Sequence, residues 1–287
     1  MTEYSLAEDL ALALELADAA DALSLDRFQA LDLVVETKPD RTPVTDADKA
    51  VERAIRAGLE KTRPDDAILG EEYGGDGAEA HSHRQWIIDP IDGTANFLRG
   101  VPVWGTLIAL VVDGVPVVGV TSSPALKKRW WASTGAGAWM TDRTGAEPAA
   151  ESRGAAPHAA VSQSPAPRRL EVSKVSDLES ASISYNSLQG WDEAGHLDEL
   201  MQLSRTVWRT RAYGEMWAYM LLAEGLVDLV GEFDLKAYDV AALIPIVREA
   251  GGQFTSLRGS DPLWAGDALA SNGRIHQATV DLLNITG

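Results

Sequence analysis

Apolar positions near the start of the chain recur every three to four residues: Leu6, Leu10, Ala13, Leu14 and Ala17 form one stripe, broken by Glu8, Asp9, Glu15 and Asp18. Ser5 with Glu8 three residues later has the spacing of a capping box, so the stripe predicts an amphipathic packing helix. A second helix is predicted to begin at Thr45 or Asp46, both competent caps, and to bury Val51, Ile55 and Leu59 before Arg63-Pro64-Asp65-Asp66 ends it. The period then changes. Ile68-Leu69 and Trp86-Ile87-Ile88 are short continuous apolar runs, the signature of buried strands, and each stops at acid: Gly70-Glu71-Glu72 after the first, Asp89-Pro90 after the second. Two β-rich runs between Trp104 and Val120 flank Asp113-Gly114, a hairpin signal, and Arg129 to Trp139 supplies two more short strands.

From Thr144 to Pro167 the chain is dense in Ala, Pro, Ser and Gly with no hydrophobic period, which predicts a linker or long surface loop. Beyond it strand-like and helix-like segments alternate: Ala181 to Tyr185, Leu197 to Leu203, Tyr213 to Glu224, Val227 to Val230, Tyr238 to Ala250, Gln253 to Thr255 and Ile275 to Leu283. The expected organisation is an α+β half over residues 1–143, an Ala/Pro-rich connection over 144–170, and an α/β half over 171–287.

Composition narrows the class. With 287 residues, 45% of them hydrophobic, the chain can build one large domain or two intimately packed halves. It has no cysteine, which excludes disulfides, zinc-thiolate sites and thiol nucleophiles. A formal net charge of -18 repels phosphate backbones, arguing against nucleic-acid partners, and suits divalent cations or cationic metabolites. The acids among residues 1–21, without a basic leader, fit neither a signal peptide nor a membrane span, so a soluble cytoplasmic protein with no membrane partner is expected.

The most informative stretch is Trp86 to Thr94, where a buried strand delivers Asp89 and Asp92 onto a tight turn that Pro90 stiffens and at which Gly93 permits close backbone approach. Asp-Pro and Asp-Gly are also ordinary turn formers. Against that reading stand Glu71-Glu72, at the end of a neighbouring apolar run, and Asp239, placed to cap the helix running to Ala250. Carboxylates converging there repel one another unless a cation neutralises them, and hard oxygen ligands select magnesium, manganese or calcium. Magnesium retains water, a potential nucleophile. Two ions roughly 4 Å apart can stabilise the attacking and leaving oxygens of a phosphate ester, whose uncatalysed hydrolysis is among the slowest known reactions.

Three ordered motifs now resemble the inositol monophosphatase family: Gly70-Glu71-Glu72; Asp89-Pro90-Ile91-Asp92-Gly93-Thr94; and Tyr238-Asp239-Val240-Ala241-Ala242 followed by Glu249-Ala250-Gly251-Gly252. The resemblance runs from the Thr45-Asp46 segment to Ala270-Ser271-Asn272-Gly273. It implies a layered αβαβα sandwich of two packed halves, a homodimer, and magnesium-dependent hydrolysis of a small phosphate ester, with manganese as an alternative ion. It further implies that Glu71, Asp89 and the Ile91 carbonyl hold one ion, that Asp89, Asp92 and Asp239 hold a second, and that a weaker third shares Glu71. Thr94 with Asp46 would orient the attacking water, and the Gly93 and Thr94 N–H groups would grip the phosphate. Lys38 matches a family lysine near the metals only loosely, and a solvated surface lysine is an equal reading. Tyr238 and Ala95 depart from the family's usual Trp and Thr, and neither change removes a ligand.

Selectivity is expected from the second half. Glu232, seven residues before Asp239, matches a family position that contacts the substrate alcohol, with an exposed loop acid as the alternative. In Arg209-Thr210-Arg211-Ala212-Tyr213-Gly214-Glu215-Met216 a carboxylate and a bulky apolar group stand where inositol phosphatases place small or hydroxyl residues. Glu215 facing an ammonium or imidazolium forms a charge-assisted hydrogen bond, so the pocket favours a cationic substrate, with Arg211 placed beside it as a further substrate-binding candidate; a solvated Glu215, or one paired with Arg211, stays open. The pattern resembles the histidinol-phosphate phosphatases within the family. Trp130-Trp131 supports that branch by resemblance, although paired tryptophans on a strand usually pack. The competing readings are an inositol-1-phosphate or broad sugar-phosphate phosphatase and, from another class, a non-catalytic metal-binding protein. His81 and His83 have zinc-competent spacing in what reads as a surface loop, and His158, His196 and His276 suggest no triad.

Overall fold

Ser5 caps the first helix as its spacing predicts, with the Glu8 carboxylate returning to the Ser5 N–H at 2.9 Å. The computed structural model describes residues 4–39, 42–75, 82–142 and 166–285. The first half runs α1 (Leu6–Arg27), β1 (Val35–Thr37), β2 (Pro43–Thr45), α2 (Asp46–Thr62), β3 (Ala67–Gly70), β4 (Gly74–Gly75), β5 (Arg84–Asp92), α3 (Thr94–Leu98), β6 (Gly105–Val112), β7 (Val115–Ser123), β8 (Lys128–Ser133) and β9 (Gly137–Asp142). After residues 143–165, which lie outside the described residues along with most of the predicted linker, come β10 (Arg168–Arg169), β11 (Ser182–Ser184), α4 (Leu188–Glu193), α5 (Leu197–Thr206), β12 (Arg209–Arg211) and α6 (Glu215–Ala223). The chain finishes with β13 (Leu229–Phe233), α7 (Ala237–Val240), α8 (Leu243–Glu249), β14 (Gln253–Thr255), β15 (Asp267–Ser271) and α9 (His276–Leu283).

Eight strands form one sheet in the order β10-β9-β8-β7-β6-β5-β3-β4, and five form a second in the order β12-β11-β13-β15-β14. Pairing in the first sheet is antiparallel except between β3 and β5; in the second, β11 runs parallel to both neighbours. Strand periodicity of two assigns alternate side chains to different layers. Trp86 and Ile88 of β5, with Ile108 and Leu110 of β6, pack with α1 and α2 on the outer face. Ile87, Leu107 and Ala109 point the other way, onto α6, α8 and the second sheet. Leu229 and Leu269 of that sheet turn to α4, α5 and α9, while Val230 and Ala270 join the central core. The result is an αβαβα sandwich, as the family resemblance implies.

The central core draws residues from before residue 143 and after residue 165, and β10 pairs with β9, so the chain has rejoined the first sheet before residue 170. Trp130 is buried in that core and Trp131 packs against the α1/α2 face. Among the described residues no helix is long and apolar enough to cross a membrane.

Candidate active site

Side chains three apart on a regular strand face opposite ways. Asp89 and Asp92 do not, because the register slips by one residue between them: Asp89 lies opposite Leu107 and Asp92 opposite Gly105. Pro90 suits this bulge, having no N–H to donate to the ladder, and its carbonyl accepts the Thr106 hydroxyl at 2.8 Å. Asp239 enters from the other half, in the first turn of α7, where one carboxylate oxygen accepts the Lys236 N–H at 2.6 Å. Carboxylate oxygens of Asp89, Asp92 and Asp239 all fall within 4.8 Å of one another.

Asp89 and Asp92 are driven well above the ordinary carboxylate range, first by burial and then by charge: Glu71, Asp92 and Asp239 act on Asp89, and Glu215, Asp239 and Glu232 on Asp92. Burial also lifts Asp239, to about 7. Among the described residues no Lys or Arg forms an ion pair with any of the three, and Asp89 Oδ1 is buried without a hydrogen-bond partner. A compact, all-oxygen donor set with an orphaned anionic oxygen fits a hard divalent cation.

Glu71 follows β3 and is anchored by its N–H to the Ile88 carbonyl at 3.2 Å. It stands outside the three-carboxylate group, near enough for its charge to raise Asp89 and Asp239. Lys38 donates to Glu71 at 2.7 Å and to Glu72 at 2.8 Å, so it is not a solvated surface lysine. Burial alone lowers an ammonium pKa; here the two carboxylates outweigh it and raise Lys38, while burial lifts Glu72 to about 7.

One pairing needs correction. The Thr94 hydroxyl lies 3.1 Å from the Asp48 carboxylate and 3.1 Å from the Ile91 carbonyl, and Asp46 takes no part. Thr45 is the N-cap of α2, which makes Asp46 the first helical residue, directed at Arg27 (2.9 Å) and the Val34 N–H. Asp48, two residues on, closes the capping box with Thr45 and is buried beside Thr94. The Thr45-x-x-Asp48 spacing was the available signal.

Gly93 has φ +86°, and a Cβ there would lie 2.9 Å from Glu215 Cγ and 3.1 Å from the Val103 carbonyl, so neither backbone nor space admits a larger residue. Thr94 opens α3, and the Ile91 side chain is buried beneath it while its carbonyl faces the Thr94 hydroxyl. A cavity of about 630 Å³ adjoins the carboxylates, lined by Asp92, Asp239, Glu215, Glu232, Asn186 and Glu193 among others. Glu215 accepts from Asn96 at 2.9 Å, and the next N–H, of Met216, donates to Asp92 at 2.6 Å. Glu232 is buried rather than an exposed loop acid, held by Asn186 at 2.5 Å and the Tyr219 hydroxyl at 3.0 Å, and burial lifts it to about 8. Asn186 gave no sequence signal beyond its place in a polar turn.

Arg211 is the second correction. It ends β12 at the edge of the second sheet, its guanidinium turned to the Thr210 carbonyl, and it lines a separate surface cleft with Trp208 and Arg209. It neither lines the cavity nor pairs with Glu215. His83 pairs with Asp113 at 2.7 Å on the surface, and His81 lies outside the described residues.

Comparison with known proteins identifies the family. Residues 5–285 match the family model described as the inositol monophosphatase family. A histidinol-phosphatase of Mycobacterium tuberculosis is 51% identical, the alignment covering 96% of this chain and 98% of that protein, and one of Streptomyces coelicolor is also 51% identical over 96% and 97%. The crystal structure of the extragenic suppressor protein suhB from Bartonella henselae superposes with a TM-score of 0.80 at 28% identity, covering 96% of this chain and 98% of that one. Motifs, layered fold, converging carboxylates and full-length similarity together establish that this chain belongs to the inositol monophosphatase family of phosphomonoester hydrolases.

Proposed function

We propose that this enzyme hydrolyses L-histidinol phosphate to L-histidinol and phosphate, with magnesium, or manganese in its place, bound by Asp89, Asp92, Asp239, Glu71 and the Ile91 carbonyl. The observation that carries the substrate is Glu215: a carboxylate on the cavity wall beside Asp92, in a pocket that also presents Glu232 and Glu193. An uncharged polyol donates its hydroxyls to such a wall but brings no opposite charge to it. An alcohol bearing an ammonium and an imidazole gains charge-assisted hydrogen bonds. The 51% identical relatives carry the same activity in their names.

When bound, the divalent ions supply charge neutralisation at the phosphate and lower the pKa of attacking water. The chain's own groups do the rest. Thr94 Oγ1 accepts from the attacking water while its hydroxyl hydrogen points to Asp48, so the pair orients the nucleophile and Asp48 receives its proton. The water oxygen bonds to phosphorus, the ester P–O bond breaks, and the departing alkoxide takes up a proton from solvent as Asp48 releases its own to solvent, so the alcohol leaves neutral. The Gly93 and Thr94 N–H groups hold the phosphate as this occurs, and Glu215 with Glu232 orients the departing alcohol. Phosphate release from histidinol phosphate and inositol 1-phosphate, for the parent and Glu215→Gln, tests the assignment. The parent prefers histidinol phosphate, and the variant loses about tenfold of that preference, near the 1.5 kcal/mol of one charged hydrogen bond. An unchanged preference in Glu215→Gln contradicts the reading.

A further inference from the structure

Glu52 lies on α2, fully buried, and has no role in the chemistry above. One short turn surrounds its carboxylate. Oε2 accepts the Glu72 N–H at 2.7 Å and Oε1 the Tyr73 N–H at 3.2 Å. Arg56, one helical turn on, donates Nε to Oε1 at 2.8 Å and reaches the Gly74 carbonyl with its other arm. Gly70 completes the enclosure, because a Cβ there would collide with Glu52 Oε1 and lie 2.8 Å from Oε2. Gly70 is not in the left-handed region, so its lack of a side chain serves the Glu52 carboxylate and not a backbone dihedral.

Glu71 therefore sits between two pinned points. Its own N–H is tied to the Ile88 carbonyl at 3.2 Å, and the following N–H is tied to Glu52. A carboxylate flanked by fixed amides loses less conformational freedom when it takes a ligand, and groups that orient metal ligands in this way typically contribute about 10- to 100-fold in affinity. We propose that Glu52, with Arg56 and Gly70, is a positioning residue for divalent-ion binding: it fixes the backbone that follows Glu71, complementing the Ile88 carbonyl that holds the Glu71 N–H, and so presents that side chain to the Asp89 site. The inference rests on the reading of Glu71 as an ion ligand. It also gives the glycine of Gly70-Glu71-Glu72 a physical reason.

Calorimetric titration of Mn²⁺ into the metal-free full-length chain, well below the Tm of each variant, tests this. Glu52→Gln keeps shape and volume but replaces one acceptor oxygen with a donor, and should weaken Mn²⁺ binding about 10- to 100-fold, with kcat recovered at saturating ion. Gly70→Ala should be at least as damaging alone and nearly silent in a Glu52→Ala background, because the clash needs the carboxylate. Asp9→Asn, in a buried ion-pair cluster elsewhere in the fold, should lower Tm and leave Mn²⁺ affinity unchanged. Parent-like Mn²⁺ affinity in Glu52→Gln overturns the proposal, as does an equal loss in Asp9→Asn. If Glu52→Ala does not fold, Glu52→Gln decides alone. A parent that binds no Mn²⁺ overturns the ligand reading of Glu71 and this inference with it.

Discussion

Two buried acidic clusters in this molecule are built in opposite ways. Asp9 is wholly buried at the edge of the outer layer, yet Arg63 meets it at 2.9 Å and Arg84 at 3.0 Å, Arg84 also holds Asp66 at 2.9 Å, and Tyr4 stacks on the Arg63 guanidinium. Asp89 is 2% exposed, but its nearest charged neighbours are carboxylates and one of its oxygens has no partner. The first cluster is complete within the chain. The second is not complete within the chain, which is the imbalance that the proposed ion site accounts for, and that difference separates the two clusters more surely than burial or acidity does.

Substitution sharpens the contrast most. Asp89→Asn removes an anion that the fold does not neutralise, so phosphate release should fall on the order of 10³-fold or more, about 4 kcal/mol, while the metal-free protein melts no lower than the parent. A phosphate assay and calorimetric melting of one sample read both; a large drop in Tm would place Asp89 with Asp9. Asp9→Ala should do the reverse, leaving the buried Arg63 guanidinium without its carboxylate and the partly buried Arg84 with Asp66 alone, at about 3–5 kcal/mol of stability with kcat/KM unchanged below the melting range. Denaturant unfolding with a parallel activity assay checks it.

Magnesium at about 100 times its Kd should stabilise the parent by about 2.7 kcal/mol and Asp89→Asn far less, while Asp9→Ala keeps the whole increment. Melting with and without the ion measures this. The smallest effect is on pH. Asp239 and Glu232 have folded pKa values raised to about 7 and about 8, so the folded state holds their protons more tightly than the unfolded chain. Their contribution is fully present below about 4 and is lost as pH rises towards 8, so the metal-free Tm should decline across that window. A metal-free Tm that climbs from pH 5 to 8 would show that these carboxylates are not crowded.

Legibility in the sequence followed the range of the interaction. Ser5 with Glu8, and Asp113-Gly114 with φ of +50° and +79°, are local devices and gave α1 and the β6/β7 turn directly. The Asp46 assignment failed by two residues because both Thr45 and Asp46 are able caps, and only the helix register decides that Asp48 faces inward. The predicted helix from Tyr238 to Ala250 breaks into α7 and α8, since Pro245 has no N–H to continue the ladder and fits only in the first turn of α8. β15 reads Asp-Ala-Leu-Ala-Ser, with little strand propensity, and is held by burial between β13 and β14. Arg211 shares a motif with Glu215, yet Glu215 lies on the cavity and Arg211 on a sheet edge, a separation set by tertiary packing. The carboxylates of Asp89 and Asp92 were legible because they close a strongly patterned strand, and that of Asp239 because it stands at the start of a helix. The bulge that turns Asp89 and Asp92 to one side was not.

The central claim is that Asp89, Asp92 and Asp239 form a divalent-ion site. Anomalous diffraction from crystals soaked in Mn²⁺ tests it most directly. Strong peaks among those three carboxylates, lost in Asp89→Asn, are the predicted result; ordered carboxylates with no peak between them, or manganese bound only elsewhere, would contradict it.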